Sequence, residues 1–226
     1  LSTMATPEKA VILYNHCPPQ ESYPAIDELA RRGCSGRLTL EVCDRQSKLN
    51  GACHTHDVTS LAEKLGFAYA HAMPPSADIV SHIERLMAPD APQDIRCLLI
   101  DFTSEDSKNS WRQMDDMIQS SLDTTPHLLK CVVSPCKAID MDVLEPSWSD
   151  IIPRQSCVMK NGVQVAVDRE QRLMCSYLHV GSTRQDTVTH YNAEEITAQG
   201  CNATILAWHF LAEIGHKLGF VPKYGA

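Results

Sequence analysis

The chain has 226 residues, 43% of them apolar and 21% charged, a balance that suits one sizeable soluble core and sets aside low-complexity and disordered classes. Its formal net charge of −8 argues against a nucleic acid or an anionic membrane as partner. Ten cysteines are scattered rather than patterned, and Cys43, Cys97, Cys131 and Cys175 lie inside apolar runs, where a free thiol behaves as a small hydrophobe. With no secretory leader and no apolar run of about 18 residues, a cytoplasmic chain that spans no membrane is expected.

Residues 1–36 open with an apolar patch, Ala10-Val11-Ile12-Leu13-Tyr14, followed by the rigid Cys17-Pro18-Pro19. Tyr23 to Arg32 carries a weak helical period through Ile26, Leu29 and Ala30. Arg37 to Cys43 alternates apolar and polar side chains, as a half-exposed strand does, and runs into a polar loop from Asp44 to Gly51. His56 to Gly66 reads as a helix: Val58, Leu61, Ala62 and Leu65 share a face, Asp57 lies in the first turn, and Gly66 closes it. Phe67 to Ala70 is a short strand, and a second helix is expected from Ala77 to Ala88.

The stretch from Asp94 to Ala138 organises the rest. The run Cys97-Leu98-Leu99-Ile100 ends in Asp101-Phe102-Thr103. Trp111, Met114, Met117, Ile118 and Leu122 follow at helical spacing, and a second run, Leu128 to Val133, stops at Ser134-Pro135-Cys136-Lys137. Two short apolar runs joined by a helical pattern predict a βαβ unit with parallel, buried strands. Chemistry in such sheets collects at the carboxyl ends of the strands, so Phe102 and Cys136 are expected on neighbouring ends. Cys136 offers a nucleophile, and the other end offers no base. Ala138 to Asn161 carries Pro146 and Pro153 and reads as a long loop. Val163 to Val167 and Leu173 to Leu178 flank Asp168-Arg169-Glu170-Gln171 as a strand pair. A polar loop follows, then a last helix from roughly Ala203 to Lys217.

From about Tyr23 to Lys217 these elements resemble the caspase family. The carriers are Tyr23-Pro24 and Arg31-Arg32-Gly33 before a strand, the Asp57 to Phe67 segment ending in Leu65-Gly66-Phe67, and the strand Cys97 to Ile100. To these add Val132-Val133-Ser134-Pro135-Cys136-Lys137-Ala138, similar to the strand and Gln-Ala-Cys-Arg-Gly that deliver the caspase nucleophile, and Gly200-Cys201 before the last helix. The resemblance implies an α/β three-layer fold with a mostly parallel central sheet and helices on both faces. It implies one domain over 1–226: a large-subunit-like part at about 23–140, a linker loop at 141–162, and a shortened small-subunit-like part at 163–226.

The departures from that family decide the expected function. Phe102 stands where the family carries its histidine, and without a base a thiol of ordinary pKa is only a few per cent thiolate at neutral pH. The arginines that grip an aspartate side chain should fall near Asn50 or Gly51, which are uncharged, and shortly before Gly200, where Glu194 and Glu195 stand with Arg184 nearby. The chain also stops at Ala226, soon after the last helix. A pseudo-caspase is therefore expected: no active catalytic residue, no substrate-binding residue, no cofactor and no metal. Its expected partner is an active caspase, bound as a heterodimer and modulated in apoptosis. Two alternative chemistries are a cysteine hydrolase using Cys136 and a transglutaminase-like site of Cys53, His82 and Asp101. Cys53-His54-Thr55-His56-Asp57 lacks helical i, i+4 spacing, so a zinc site there is not expected.

Overall fold

The computed structural model describes residues 6–41, 68–71, 96–102, 107–122, 125–136, 158–160, 162–201 and 203–219. Its centre is a seven-stranded sheet of β1 (Lys9–Asn15), β2 (Cys34–Glu41), β3 (Ala68–His71), β4 (Cys97–Phe102), β5 (Leu128–Cys136), β8 (Val167–Leu178) and β9 (Thr204–Leu206). The order across it is β3-β4-β1-β5-β8-β2-β9, and β6 (Met159–Lys160) pairs with β7 (Val163–Gln164) in a separate hairpin. β1 runs parallel to β4 and β5, β3 to β4, and β9 to β2. β8 is antiparallel to both its neighbours, β5 and β2. The class is therefore α/β with a mixed, mostly parallel sheet.

Helices cover both faces, which is why the inner strands carry near-continuous apolar runs instead of alternating ones. On one face α1 (Pro24–Arg32) and α2 (Ser107–Ser121) pack Ile26, Leu29, Trp111, Met114 and Ile118 against Val11, Leu13, Ile100, Phe102, Val132 and Met174. On the other, α4 (Ala207–Lys217) packs Phe210, Leu211 and Ile214 against Ile12, Leu38, Leu99, Cys131 and Cys175. α1 starts at Pro24, whose fixed φ suits the first helical position. The side chain of Asp115 on α2 then accepts the Ala25 and Ile26 N–H groups at 2.8 and 2.9 Å, so one helix caps the other.

Several expectations need correction. The patch at Ala10 to Tyr14 is β1, laddered on both sides between β4 and β5. It therefore separates the two strands expected to be neighbours. The residues read as a connection, Asp168 to Gln171, belong to β8, a single strand of twelve residues. Its polar stretch lies where the β2 ladder shifts register between Thr39 and Glu41. The last helix begins at Ala207 instead of Ala203, because Thr204–Leu206 extends alongside β2 as β9. Within the expected polar loop lies α3 (Ala193–Gln199), capped by the Asn192 side chain, which accepts the Glu195 N–H at 2.8 Å. Asn192-Ala193-Glu194-Glu195 carries that capping signature in the sequence. The helices expected over 56–66 and 77–88 lie outside the described residues. Among the described residues, no helix is long and apolar enough to cross a membrane.

One buried histidine makes stability depend on pH. His179 follows β8, its Nδ1 2.6 Å from the Ser182 hydroxyl and its N–H donating to Thr183 Oγ1 at 2.7 Å. Burial, with Lys130, Lys217 and His127 nearby, holds its pKa below the ordinary value. A base whose pKa falls on folding binds its proton better in the unfolded chain, so stability is intact above about pH 6.5 and declines as pH drops below it. The thermal midpoint should therefore fall further between pH 7.5 and 5.5 in the wild type than in His179→Asn. Equal falls would remove His179 as the cause.

Candidate functional site

Parallel strands β4, β1 and β5 end on one rim of the sheet, at Phe102, Asn15 and Cys136. The two-residue alternation of strands sorts the rim side chains between the faces. Phe102 and Cys136 belong to the apolar cluster under α1 and α2. Tyr14, in register with Asp101, belongs to the cluster under α4, so Asp101 lies on that opposite face.

On the α4 face the rim holds a histidine–carboxylate pair. His16 Nε2 lies 2.7 Å from Asp101 Oδ1, and the imidazole sits 4.6 Å from the Tyr14 ring. The His16 side chain is 38% exposed and that of Asp101 5%, so the pair meets solvent through the imidazole. The turn that carries His16 is fixed from the other face. Asn15 Oδ1 accepts the Cys17 N–H at 2.9 Å and Asn15 Nδ2 donates to Ser110 Oγ at 2.9 Å. Trp111 Nε1 donates to the Cys17 carbonyl at 3.2 Å.

On the α1/α2 face Cys136 has different company. Burial raises its pKa, while the charges of Arg37 and Arg172 pull the other way. Arg172 is its register partner on β8, and Arg37 lies opposite Met174 on β2, so all three share a face. The Tyr191 hydroxyl sits 3.2 Å from Ser134 Oγ and donates to the Met174 carbonyl at 3.0 Å, which closes this part of the rim from beneath. A thiol held protonated by burial is a poor nucleophile.

The structure thus treats the expected site residues differently. Phe102 and Cys136 share a face but are separated by β1. Asp101 meets His16, which the sequence reading passed over. Cys53 and His82 of the transglutaminase-like alternative lie outside the described residues, as do Asn50 and Gly51. Glu195 accepts the Thr189 and His190 N–H groups at 3.1 and 2.7 Å, fastening the loop before α3. Arg37 and Arg172 were missed as neighbours of Cys136, because only the register of three strands brings them together. His16 did carry a signal: a histidine two residues after an apolar, strand-length run.

No family model and no curated protein matches the chain. Among solved structures it is similar to the PH0037 protein from Pyrococcus horikoshii, with a TM-score of 0.51 at 9% identity over 99% of this chain and 100% of that one. It also aligns with murine ectonucleotide pyrophosphatase / phosphodiesterase 5, an inactive variant in complex with AMP, at a TM-score of 0.36 and 10% identity over 97% of each chain. The first likeness is one of fold alone, and the second is too slight to bear an argument.

Proposed function

We propose that this chain is a non-catalytic, caspase-type protein that acts by binding an active caspase and modulating it, with its helices and sheet forming the three-layer arrangement of that family. The observation that supports lost chemistry is the division of the rim. Cys136 shares its face with Phe102, one strand removed, and with two arginines, whereas the histidine–carboxylate pair of His16 and Asp101 lies on the other side of the sheet. A catalytic thiol and its base must come within hydrogen-bond reach, and a sheet stands between these two. The partner rests on the sequence resemblance. A caspase strand can pair with β9, which has β2 as its sole ladder neighbour among the described residues, and such edge pairing supplies main-chain hydrogen bonds.

The purified chain should not cleave aspartyl-peptide substrates, and Phe102→His should not confer cleavage. The restored imidazole would sit two strand spacings from Cys136, about 10 Å across the sheet. Mixed with an active caspase of its own organism, the chain should change that enzyme's rate. It should also elute with it in size-exclusion chromatography with light scattering, through an interface on the order of 1,200–2,000 Å². Turnover by the chain alone that disappears in Cys136→Ala would overturn the non-catalytic reading. Failure to bind any caspase offered would overturn the partner.

A second reading, a cysteine hydrolase built on Cys136, is favoured by Arg37 and Arg172, since positive charge beside a thiol promotes the thiolate. Alkylation of Cys136 at neutral pH faster than that of the exposed Cys201 would support it, and slower alkylation would remove it.

A further inference from the structure

Far from the rim just described, three segments converge at the other end of β2. Cys34 is the first residue of β2, Asp186 lies in the loop between β8 and α3, and Cys201 sits in the turn between α3 and β9. The two sulfurs are 3.5 Å apart, and the two sulfurs with a carboxylate oxygen of Asp186 all lie within 4.8 Å of one another. We propose that Cys34, Asp186 and Cys201 form a binding site for a zinc-like divalent ion, which clasps the start of β2 to the two connections beside it.

The spacing rules out a disulfide and suits either an S–H···S contact between the two thiols or a shared metal ion. Two sulfurs bound tetrahedrally at about 2.3 Å from one ion stand about 3.8 Å apart. Joined in a disulfide they would stand about 2.05 Å apart. The observed separation is close to the first. Two thiolates and a carboxylate are a donor set for a borderline-soft ion, and three protein ligands leave a fourth position for water.

The carboxylate is already oriented, as metal-binding carboxylates are by their own hydrogen bonds. Asp186 Oδ2 accepts the N–H of Ser35 at 2.7 Å and of Cys201 at 3.3 Å, and Oδ1 accepts that of Val188 at 3.1 Å. The backbone approach is also built in. Gly33 and Gly200 each precede one of the cysteines. A Cβ on Gly33 would lie 2.3 Å from the Tyr177 carbonyl oxygen, and one on Gly200 2.7 Å from that of Ser35. The site has one buried and one exposed thiol, so an ion can arrive from solvent and still be held by a residue of the core. Each thiol releases its proton to solvent as the metal binds.

The test uses the whole chain, fully reduced and stripped of metal, titrated with Co²⁺ and then with Zn²⁺. One equivalent of Co²⁺ should give the visible absorption of four-coordinate, thiolate-bound cobalt, and Zn²⁺ should abolish it. Zn²⁺ should also raise the thermal midpoint, since a ligand of the folded state alone stabilises it. Cys201→Ser, at an exposed position, should fold and lose at least ten-fold in affinity. Asp186→Asn keeps only one of the two oxygens that accept loop N–H groups, so it should lower metal-free stability somewhat as well as weaken metal binding by the folded chain, whereas Cys17→Ser should leave binding intact. No cobalt spectrum in the reduced chain, or one unchanged in Cys201→Ser, would overturn the proposal. Both outcomes are independent of whether the chain binds a caspase.

Discussion

Trp111→Ala should lower the unfolding free energy by about 3–5 kcal/mol, a large share of the roughly 5–15 kcal/mol of a typical domain. The indole is fully buried. It stacks on Tyr23 at 5.4 Å between centroids and tilts against Tyr191 at 6.0 Å, so it joins α2, the start of α1 and the residues before α3. Alanine would leave a cavity bounded by a rigid sheet that cannot collapse into it. The indole N–H also holds the Cys17 carbonyl, so amide protection over residues 15–17 should fall with the same change. Trp111→Phe keeps most of the packing and loses that hydrogen bond, for a net loss of about 1–2 kcal/mol. Urea unfolding of the three proteins gives the ranking. A loss under about 1 kcal/mol for Trp111→Ala would mean that the three aromatic rings do not pack as described.

Gly33→Ala should also be damaging, for a different reason. The backbone there is extended, with φ −109°, so any residue can adopt it. What is missing is space. A Cβ would meet the Tyr177 carbonyl oxygen at 2.3 Å and the Leu29 carbonyl oxygen at 2.7 Å, and both are main-chain atoms. Relief would require the end of α1 or the β2–β8 ladder to move, and overpacking of this kind costs about 1–3 kcal/mol or more. Gly181 makes the contrast: its φ of +92° favours glycine, yet nothing lies within 4 Å of a Cβ built there. Gly181→Ala should lose about 1–2 kcal/mol from the left-handed backbone alone. Thermal or urea unfolding that places Gly181→Ala below Gly33→Ala in stability would sink the steric argument.

The elements with a sharp hydrophobic period were legible in the sequence. α1 and α2 stand where Ile26, Leu29, Trp111, Met114 and Ile118 predicted them, and β4 and β5 match their apolar runs to within three residues. What sequence order could not give was lateral order. An apolar run declares a buried strand but not its neighbours, so β1 between β4 and β5, and β8 between β5 and β2, emerge only when the ladders form. The candidate site suffered most, because its meaning depends on which strands adjoin and which face each residue takes. Cys136, Phe102 and Asp101 were all placed on the rim, but the pairing of Asp101 with His16 and the company of Arg37 and Arg172 follow from register. β9 was absorbed into a helix because three residues are too few to show a period against the eleven that follow.

The interleaved order of β5, β8, β2 and β9 has a consequence for cleavage. If a protease cut the connection between β5 and β6, one fragment would keep β1 to β5 and the other β6 to β9. β8 of the second fragment would still lie between β5 and β2 of the first, and β2 of the first between β8 and β9 of the second. Separating the pieces would require three ladders to be unzipped, each under a helical cover. A nick there would free two chain ends and change their reach, yet leave the molecule as one woven body.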